Sequence, residues 1–191
     1  MKTSQRAAGD LEIFVKSIRT SFGLVKVLWS VRRGRPWVTG ILLPRGDKRP
    51  RRAPRSLTGH GPSCPPIDKL GDRIIRFLHG ENEALPLTLI DFGRCSRFQR
   101  RVLLAEHRIP RGKVSTYGRI AESLGVRGGA RAVGRALATN PFPLVIPCHR
   151  TVRGDGELGG FQGGIDMKRR LLAMEGVRFD VKGRVRAEYM L

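Results

Sequence analysis

Gly112, Gly125 and Gly176 each follow a stretch with helical periodicity, so the second half of this chain has room only for short helices joined by turns. Ser96-Arg97-Phe98-Gln99 has the form of a capping box, and Phe98, Val102, Ala105 and Ile109 then fall on one helical stripe. Pro110-Arg111-Gly112 ends that helix. Ser115-Thr116 caps a second, Tyr117 to Leu124, and Gly129 opens a third that runs to Thr139. Two short helices across a glycine-containing turn read as a helix-turn-helix. A last helix is expected from Asp166 to Glu175.

The first half has a different texture. Leu11 to Val15, Leu24 to Val31 and Trp37 to Leu43 are β-rich runs separated by turn residues. Pro44 to Pro66 is polar and proline-rich, longer than the loops compact domains usually carry, and is expected to be mobile. Its cluster from Arg49 to Arg55 reads as solvated, with a nuclear-targeting or DNA-contacting patch as the alternative. Ile67 to His79 follows as a helix with Leu70, Ile74, Phe77 and Leu78 on one face, and Leu85, Leu87 and Leu89 alternate like a short strand. The change of texture places a domain boundary near Phe92-Gly93, giving units 1–92 and 93–191. Nothing in the first unit resembles a catalytic constellation.

Charge narrows the partner. A formal net charge of +21 on 191 residues calls for an anion, and neutralisation of phosphates by Lys and Arg makes nucleic acid the first candidate. Arg outnumbers Lys, which suits forked phosphate contacts. The alternative is a solubilising surface, or a charge-rich composition suited to high temperature. No apolar run approaches the length of a membrane span, and the N-terminus has no cleavable leader pattern. Cys64, Cys95 and Cys148 are far apart and odd in number, which points to a reducing compartment.

The third helix is built of small residues, Ala130, Ala132, Val133, Gly134, Ala136 and Ala138, with Arg131 and Arg135 projecting. A small-faced helix can press against a minor groove only about 6 Å wide in B-form DNA. Close packing against the protein's own core accounts for half of these residues, though not for the two arginines.

After the apolar run Leu144-Val145-Ile146 comes Pro147-Cys148-His149-Arg150. A free thiol titrates at about 8.5, and neighbouring cations lower it toward neutrality, so Cys148 is expected to be reactive. The bland alternative is a packed, inert small hydrophobe. On an extended segment His149 would point away from Cys148, acting only through a water or a third group. Glu175 sits at the end of its helix where a carboxylate opposes the macrodipole by about 0.3–1 kcal/mol. Polarising the His149 imidazole would give that misplacement a purpose. Arg153-Gly154-Asp155-Gly156 is a tight turn. Gly154, Gly156 and Gly159 match a dinucleotide fingerprint by spacing, but a loop, Gly159 to Gly164, follows where a helix should open, which excludes that site.

Asn140-Pro141, Ile146 to Arg150, Gly159-Gly160-Phe161 and Lys168 through Leu171-Leu172 to Glu175-Gly176 together resemble the methylated-DNA–protein-cysteine methyltransferases, or O6-alkylguanine-DNA alkyltransferases. Ile109 to Gly112, Ser115-Thr116-Tyr117 and Ala130 to Gly134 are similar as well. The likeness covers Phe98 to Val177 in order and spacing. The first half matches loosely, in its strand pattern and around Leu85-Pro86-Leu87.

The resemblance implies an α/β fold: an N-terminal ribonuclease-H-like antiparallel sheet with a helix, then a C-terminal winged-helix-like, helix-turn-helix DNA-binding domain. It implies stoichiometric, irreversible transfer of an alkyl group from O6-alkylguanine, and from O4-alkylthymine, in flipped-out double-stranded DNA to Cys148. His149 and Glu175 match the pair that draws the thiol proton away through a water, Asn140 the residue that ties down the turn, and Tyr117 the donor to the guanine ring. Arg131 matches the finger that fills the duplex, with Gly118, Ala132 and Arg135 beside it on the DNA. No metal or cofactor, a monomer, and a cytoplasmic location (nuclear in a eukaryote) are implied.

The chain departs from the family pattern at Thr151, where Val or Ile is usual, and at Phe161-Gln162, which puts the range of accepted alkyl groups in doubt. Some relatives hold zinc in the first domain, but residues 1–59 contain no Cys or His. His60, Cys64, His79 and Cys95 are the remaining ligand types, irregularly spaced for a tetrahedral site. Two other classes stay open: a non-catalytic DNA-binding module, and a cysteine hydrolase using Cys95 at a helix N-terminus.

Overall fold

The computed structural model describes residues 12–44 and 57–191. The expected strand start at Leu11 and the cluster Arg49 to Arg55 lie outside these. Strands β1 (Ile13–Thr20), β2 (Gly23–Arg32) and β3 (Arg35–Leu42) form an antiparallel meander. Arg33 and Gly34, with φ of +52° and +73°, make the two-residue turn that joins β2 to β3, a geometry whose twist matches the flanking strands. A fourth strand, β4 (Leu57–His60), pairs parallel to β1, so the sheet order is β3-β2-β1-β4. The Pro44–Pro66 segment is therefore not loop throughout.

Helix α1 (Pro65–Leu78) packs on this sheet through Ile67, Leu70, Ile74, Phe77 and Leu78. The alternation at Leu85, Leu87 and Leu89 does not make a strand. Ile90 N bonds back to Leu87 O at 3.0 Å, a turn that breaks the pairing after one bridge from Val38 to Ile90.

The second half supplies α2 (Arg97–His107), β5 (Ser115–Thr116), α3 (Tyr117–Ser123), α4 (Ala130–Ala138), β6 (Thr151–Val152) and α5 (Ile165–Met174). Ser96 caps α2 by accepting from Gln99 N at 3.1 Å. The reciprocal half of the expected box is replaced by a tertiary bond: Gln99 Nε2 reaches the end of α4 at Ala136 O and Thr139. The buried residues of α2 are Val102, Leu103 and Glu106, while Phe98 and Ala105 are only partly covered. Helices α3 and α4 form the helix-turn-helix. Strand β6 pairs parallel with β5, Ser115 opposite Thr151, which places the residues after Cys148 beside those before Tyr117.

The two halves share one hydrophobic cluster that runs from Ile18 of β1 to Leu171 of α5. Ile41 N of β3 donates to Pro141 O at 2.7 Å, and the Phe92 ring meets Phe142 edge-on at 5.7 Å. The sheet thus braces the loop between α4 and Cys148.

Candidate active site

After α4 the chain winds tightly from Asn140 to Cys148, and one buried side chain holds the winding. Asn140 Oδ1 accepts from Phe142 N at 2.9 Å, and Nδ2 donates to Ile146 O at 3.2 Å and to Cys148 Sγ at 3.3 Å. Ile146 N to Phe142 O and Cys148 N to Ile146 O, both 2.8 Å, close the turn. Leu144 takes a φ of +74°, which costs a non-glycine residue roughly 1–2 kcal/mol. Such strain persists where surrounding bonds over-determine the backbone, as Asn140 and the docking of β3 do here.

Cys148 to Arg150 form one turn of 3₁₀ helix, not the extended segment anticipated from the apolar run before them. Adjacent side chains on such a turn do not alternate, so the opposite-face argument for His149 falls. His149 Nε2 lies 2.9 Å from Glu175 Oε1. Arg150 forks onto the same carboxylate, Nε to Oε2 and Nη2 to Oε1, each at 2.9 Å, and its Nη1 donates to Ile109 O at 2.7 Å. Glu175 is the C-cap of α5 and is buried at 8% exposure.

These contacts set the charges. Burial alone would raise Glu175, but His149 and Arg150 outweigh it and hold the carboxyl at about 2. Burial lowers His149 below its ordinary value despite Glu175, leaving the imidazole neutral at pH 7. An ionised carboxylate only accepts, so Nε2 carries the proton and Nδ1 presents a lone pair. Nδ1 is buried and has no hydrogen-bond partner. The ring sits between Phe77 and Phe161, edge-on to each.

Cys148 itself overturns the expectation of a thiol acidified by cations. Burial pushes it up to about 12, against the smaller effect of the Asn140 bond. Arg150, the nearest cation in sequence, is committed to Glu175 and Ile109.

Tyr117 opens α3 behind the N-cap Thr116, which accepts from Arg119 N at 3.1 Å. Its ring lies against Gly134 of α4, and its hydroxyl is 3.0 Å from where a Cβ on Gly159 would stand. Gly159 has a φ of +65°, so both its conformation and its neighbour call for glycine. Gly118 is half-buried next to Tyr117. On α4, Val133, Ala136 and Leu137 are buried, Ala132 and Gly134 half-buried, and Arg131 and Arg135 exposed one turn apart.

A family model, that of the DNA-binding domain of 6-O-methylguanine DNA methyltransferase, matches residues 97–177. A methylated-DNA–protein-cysteine methyltransferase of Methanothermobacter thermautotrophicus is 44% identical over 158 residues, which are 82% of this chain and 81% of that protein. The chain belongs to the methylated-DNA–protein-cysteine methyltransferase family. The fold agrees. The crystal structure of Mycobacterium tuberculosis OGT in complex with DNA superposes with a TM-score of 0.70 at 30% identity, over 85% of this chain and 92% of that one. The O6-methylguanine-DNA methyltransferase of Pyrococcus kodakaraensis does so with a TM-score of 0.62 at 27% identity, over 86% and 99%.

Within this methyltransferase fold two hydrogen-bonded pairs, Asn140–Cys148 and His149–Glu175, are joined by the peptide link between Cys148 and His149, while Arg131, Ala132 and Arg135 lie apart on α4. Cys95 stands outside both pairs: it precedes the N-cap Ser96, and burial together with Asp91 raises its thiol. Cys64 and His79 cap opposite ends of α1, about 20 Å apart at 1.5 Å per residue, so they cannot share a metal ion. Among the described residues no group of three or more His, Cys, Asp or Glu is placed to hold one.

Thr151 and Gln162, flagged from sequence for alkyl-group range, have structural partners. Thr151 is fully buried and its hydroxyl donates to Glu106 Oε2, while Gln162 Nε2 donates to Asn140 O at 2.6 Å. Glu106 and the anchoring role of Arg150 were missed. A carboxylate interrupting the apolar stripe Val102-Leu103-Ile109 was the available signal for the first; nothing local announced the second.

Proposed function

We propose that this chain repairs DNA by accepting, on Cys148, the alkyl group carried by O6 of guanine in a flipped-out nucleotide. The observation that carries the reading is the pair of anchored neighbours: a thiol fixed by Asn140, followed directly in the chain by a neutral His149 whose one protonated nitrogen faces Glu175. Burial pushes the thiol well above its ordinary range, so at pH 7 it keeps its proton. It therefore reacts only when a base takes its proton, and the His149 Nδ1 lone pair is that base, acting through a water. The sulfur–carbon bond forms as the carbon–O6 bond breaks. The bonding pair stays on guanine, where the Tyr117 hydroxyl donates to the developing anion. The proton on His149 is stabilised by Glu175, whose own charge Arg150 secures.

Reaching O6 requires the base to leave the stack, at a cost of a few kcal/mol. Arg131, exposed on the small-faced α4, fills the gap, with Gly118, Ala132 and Arg135 against the backbone. O4-alkylthymine presents the same alkylated oxygen and is a second substrate. The units 1–92 and 93–191 act as brace and acceptor domain. Three unpaired cysteines and a DNA substrate support a location in the cytoplasm or, in a eukaryote, the nucleus, and on this reading the protein acts as a monomer.

The test is stoichiometry. Excess duplex carrying labelled O6-methylguanine should label the protein to one equivalent and stop. Continuing turnover, the behaviour of a hydrolase, or binding without label, that of a lesion sensor, would overturn the proposal.

A further inference from the structure

Behind the acceptor turn lies a second ionisable cluster that the transfer step does not use. Glu106 of α2 is fully buried; one carboxylate oxygen takes the Thr151 hydroxyl and the other, Oε1, has no hydrogen-bond partner. Lys168 of α5 is fully buried too, and its ammonium donates to Thr151 O at 2.6 Å and to Leu158 O. Thr151 is therefore gripped at its side chain by an acid from α2 and at its carbonyl by a base from α5. It is two residues beyond His149 and opposite Ser115 in the β5–β6 pair, two residues before Tyr117.

The charged and titratable groups near Glu106 are Lys168, Arg150, Cys148 and Tyr117. Arg150 is already committed to Glu175, while the Lys168 ammonium is held on the Thr151 and Leu158 carbonyls, within electrostatic reach of Glu106, Cys148 and His149. A carboxylate there raises the thiol, and the ammonium lowers it. Two anions around one buried cation cannot both be satisfied, since each is deprived of water.

We propose that Glu106 is a positioning residue that also governs the acceptor: protonated, it holds Thr151 and leaves the Lys168 ammonium to favour the Cys148 thiolate, and ionised, it opposes that thiolate. This rests on Cys148 being the acceptor. Burial raises Glu106 to about 7, and lowers Lys168 to about 8, so the exchange of roles falls in the neutral range. As the pH rises past neutrality, Glu106 releases its proton to solvent and alkyl transfer gains less than general-base catalysis by His149 alone would give.

Single-turnover transfer from duplex O6-methylguanine, followed between pH 5.5 and 9 on the full chain, tests this with Glu106→Gln. The ratio of variant to unsubstituted rate should rise across neutrality, by about tenfold for each pKa unit that the carboxylate adds to the thiol. A ratio that stays constant with pH, whatever its size, makes Glu106 merely structural and overturns the proposal. If the Gln variant does not fold, the carboxyl ¹³C resonance of Glu106 in the unsubstituted protein decides. Titration near neutral pH supports the proposal, and ionisation in the ordinary carboxylate range overturns it. Absence of any transfer by the unsubstituted protein would instead strike the acceptor assignment itself, which separates the two failures.

Discussion

Replacing Glu175 with Gln sets two magnitudes against each other. Removing a charge that opposes the α5 macrodipole would stabilise the helix end by about 0.3–1 kcal/mol, the outcome expected from sequence. The structure adds a larger effect of opposite sign. Glu175 is buried, and its carboxyl falls from an ordinary 4.5 to about 2 on folding. Part of that depression needs a charged His149, which is neutral at pH 7, so at 1.36 kcal/mol per unit the carboxylate is worth at most about 3 kcal/mol there. Because the folded value is depressed, this stability is complete above about pH 4.5 and is lost as pH falls toward 2. Glu175→Gln therefore lowers Tm at pH 7, by up to about 12 °C at 2–4 °C per kcal/mol for a chain of this size. It also leaves Arg150 without its carboxylate and His149 without a counter-charge, so alkyl transfer slows by about 10²–10⁴-fold. Thermal melts from pH 2 to 7 and single-turnover rates check both. An unchanged or raised Tm with an unchanged rate would refute the reasoning, since the cluster would then hold neither the fold nor the imidazole.

Arg131→Ala should slow repair of duplex DNA far more than dealkylation of free O6-benzylguanine, which needs no base flipping; equal losses on both would make Arg131 a support of the fold. Cys148→Ala should abolish transfer and keep DNA affinity with its steep salt dependence, measured by titration at two salt concentrations, because phosphate contacts supply most of that affinity. Glu106 gives a stability signature of opposite direction to Glu175. Its folded value of about 7 lies above the ordinary 4.5, so stability falls by about 3 kcal/mol as pH rises between them, and denaturant melts of Glu106→Gln should lack that fall.

Local signals carried much of this. The Ser96 cap, the glycine stops and the split of α4 into buried Val133, Ala136 and Leu137 against exposed Arg131 and Arg135 all follow from short-range chemistry. Glu175 announced itself by standing at the wrong helix end. What failed depended on distant partners. The Leu85-Leu87-Leu89 alternation looked like a strand, yet a strand needs a ladder, and the turn at Leu87 allows a single bridge. Arg150 looked like a cation for Cys148 because its actual partner is 25 residues away. The direction of the Cys148 pKa has the same origin: burial, which is set by the whole fold, outweighs neighbours in sequence. Glu106 interrupts the apolar stripe of α2, but the partner that explains it, Thr151, is 45 residues away.

The central claim, that Cys148 takes the alkyl group, is tested most directly by peptide mapping. The protein is incubated with a duplex containing O6-methylguanine, digested and analysed by mass spectrometry. The account predicts one added methyl group, confined to the peptide that contains Cys148. A methyl group on the peptides of Cys64 or Cys95, or loss of the lesion with no mass added to the protein, would contradict it.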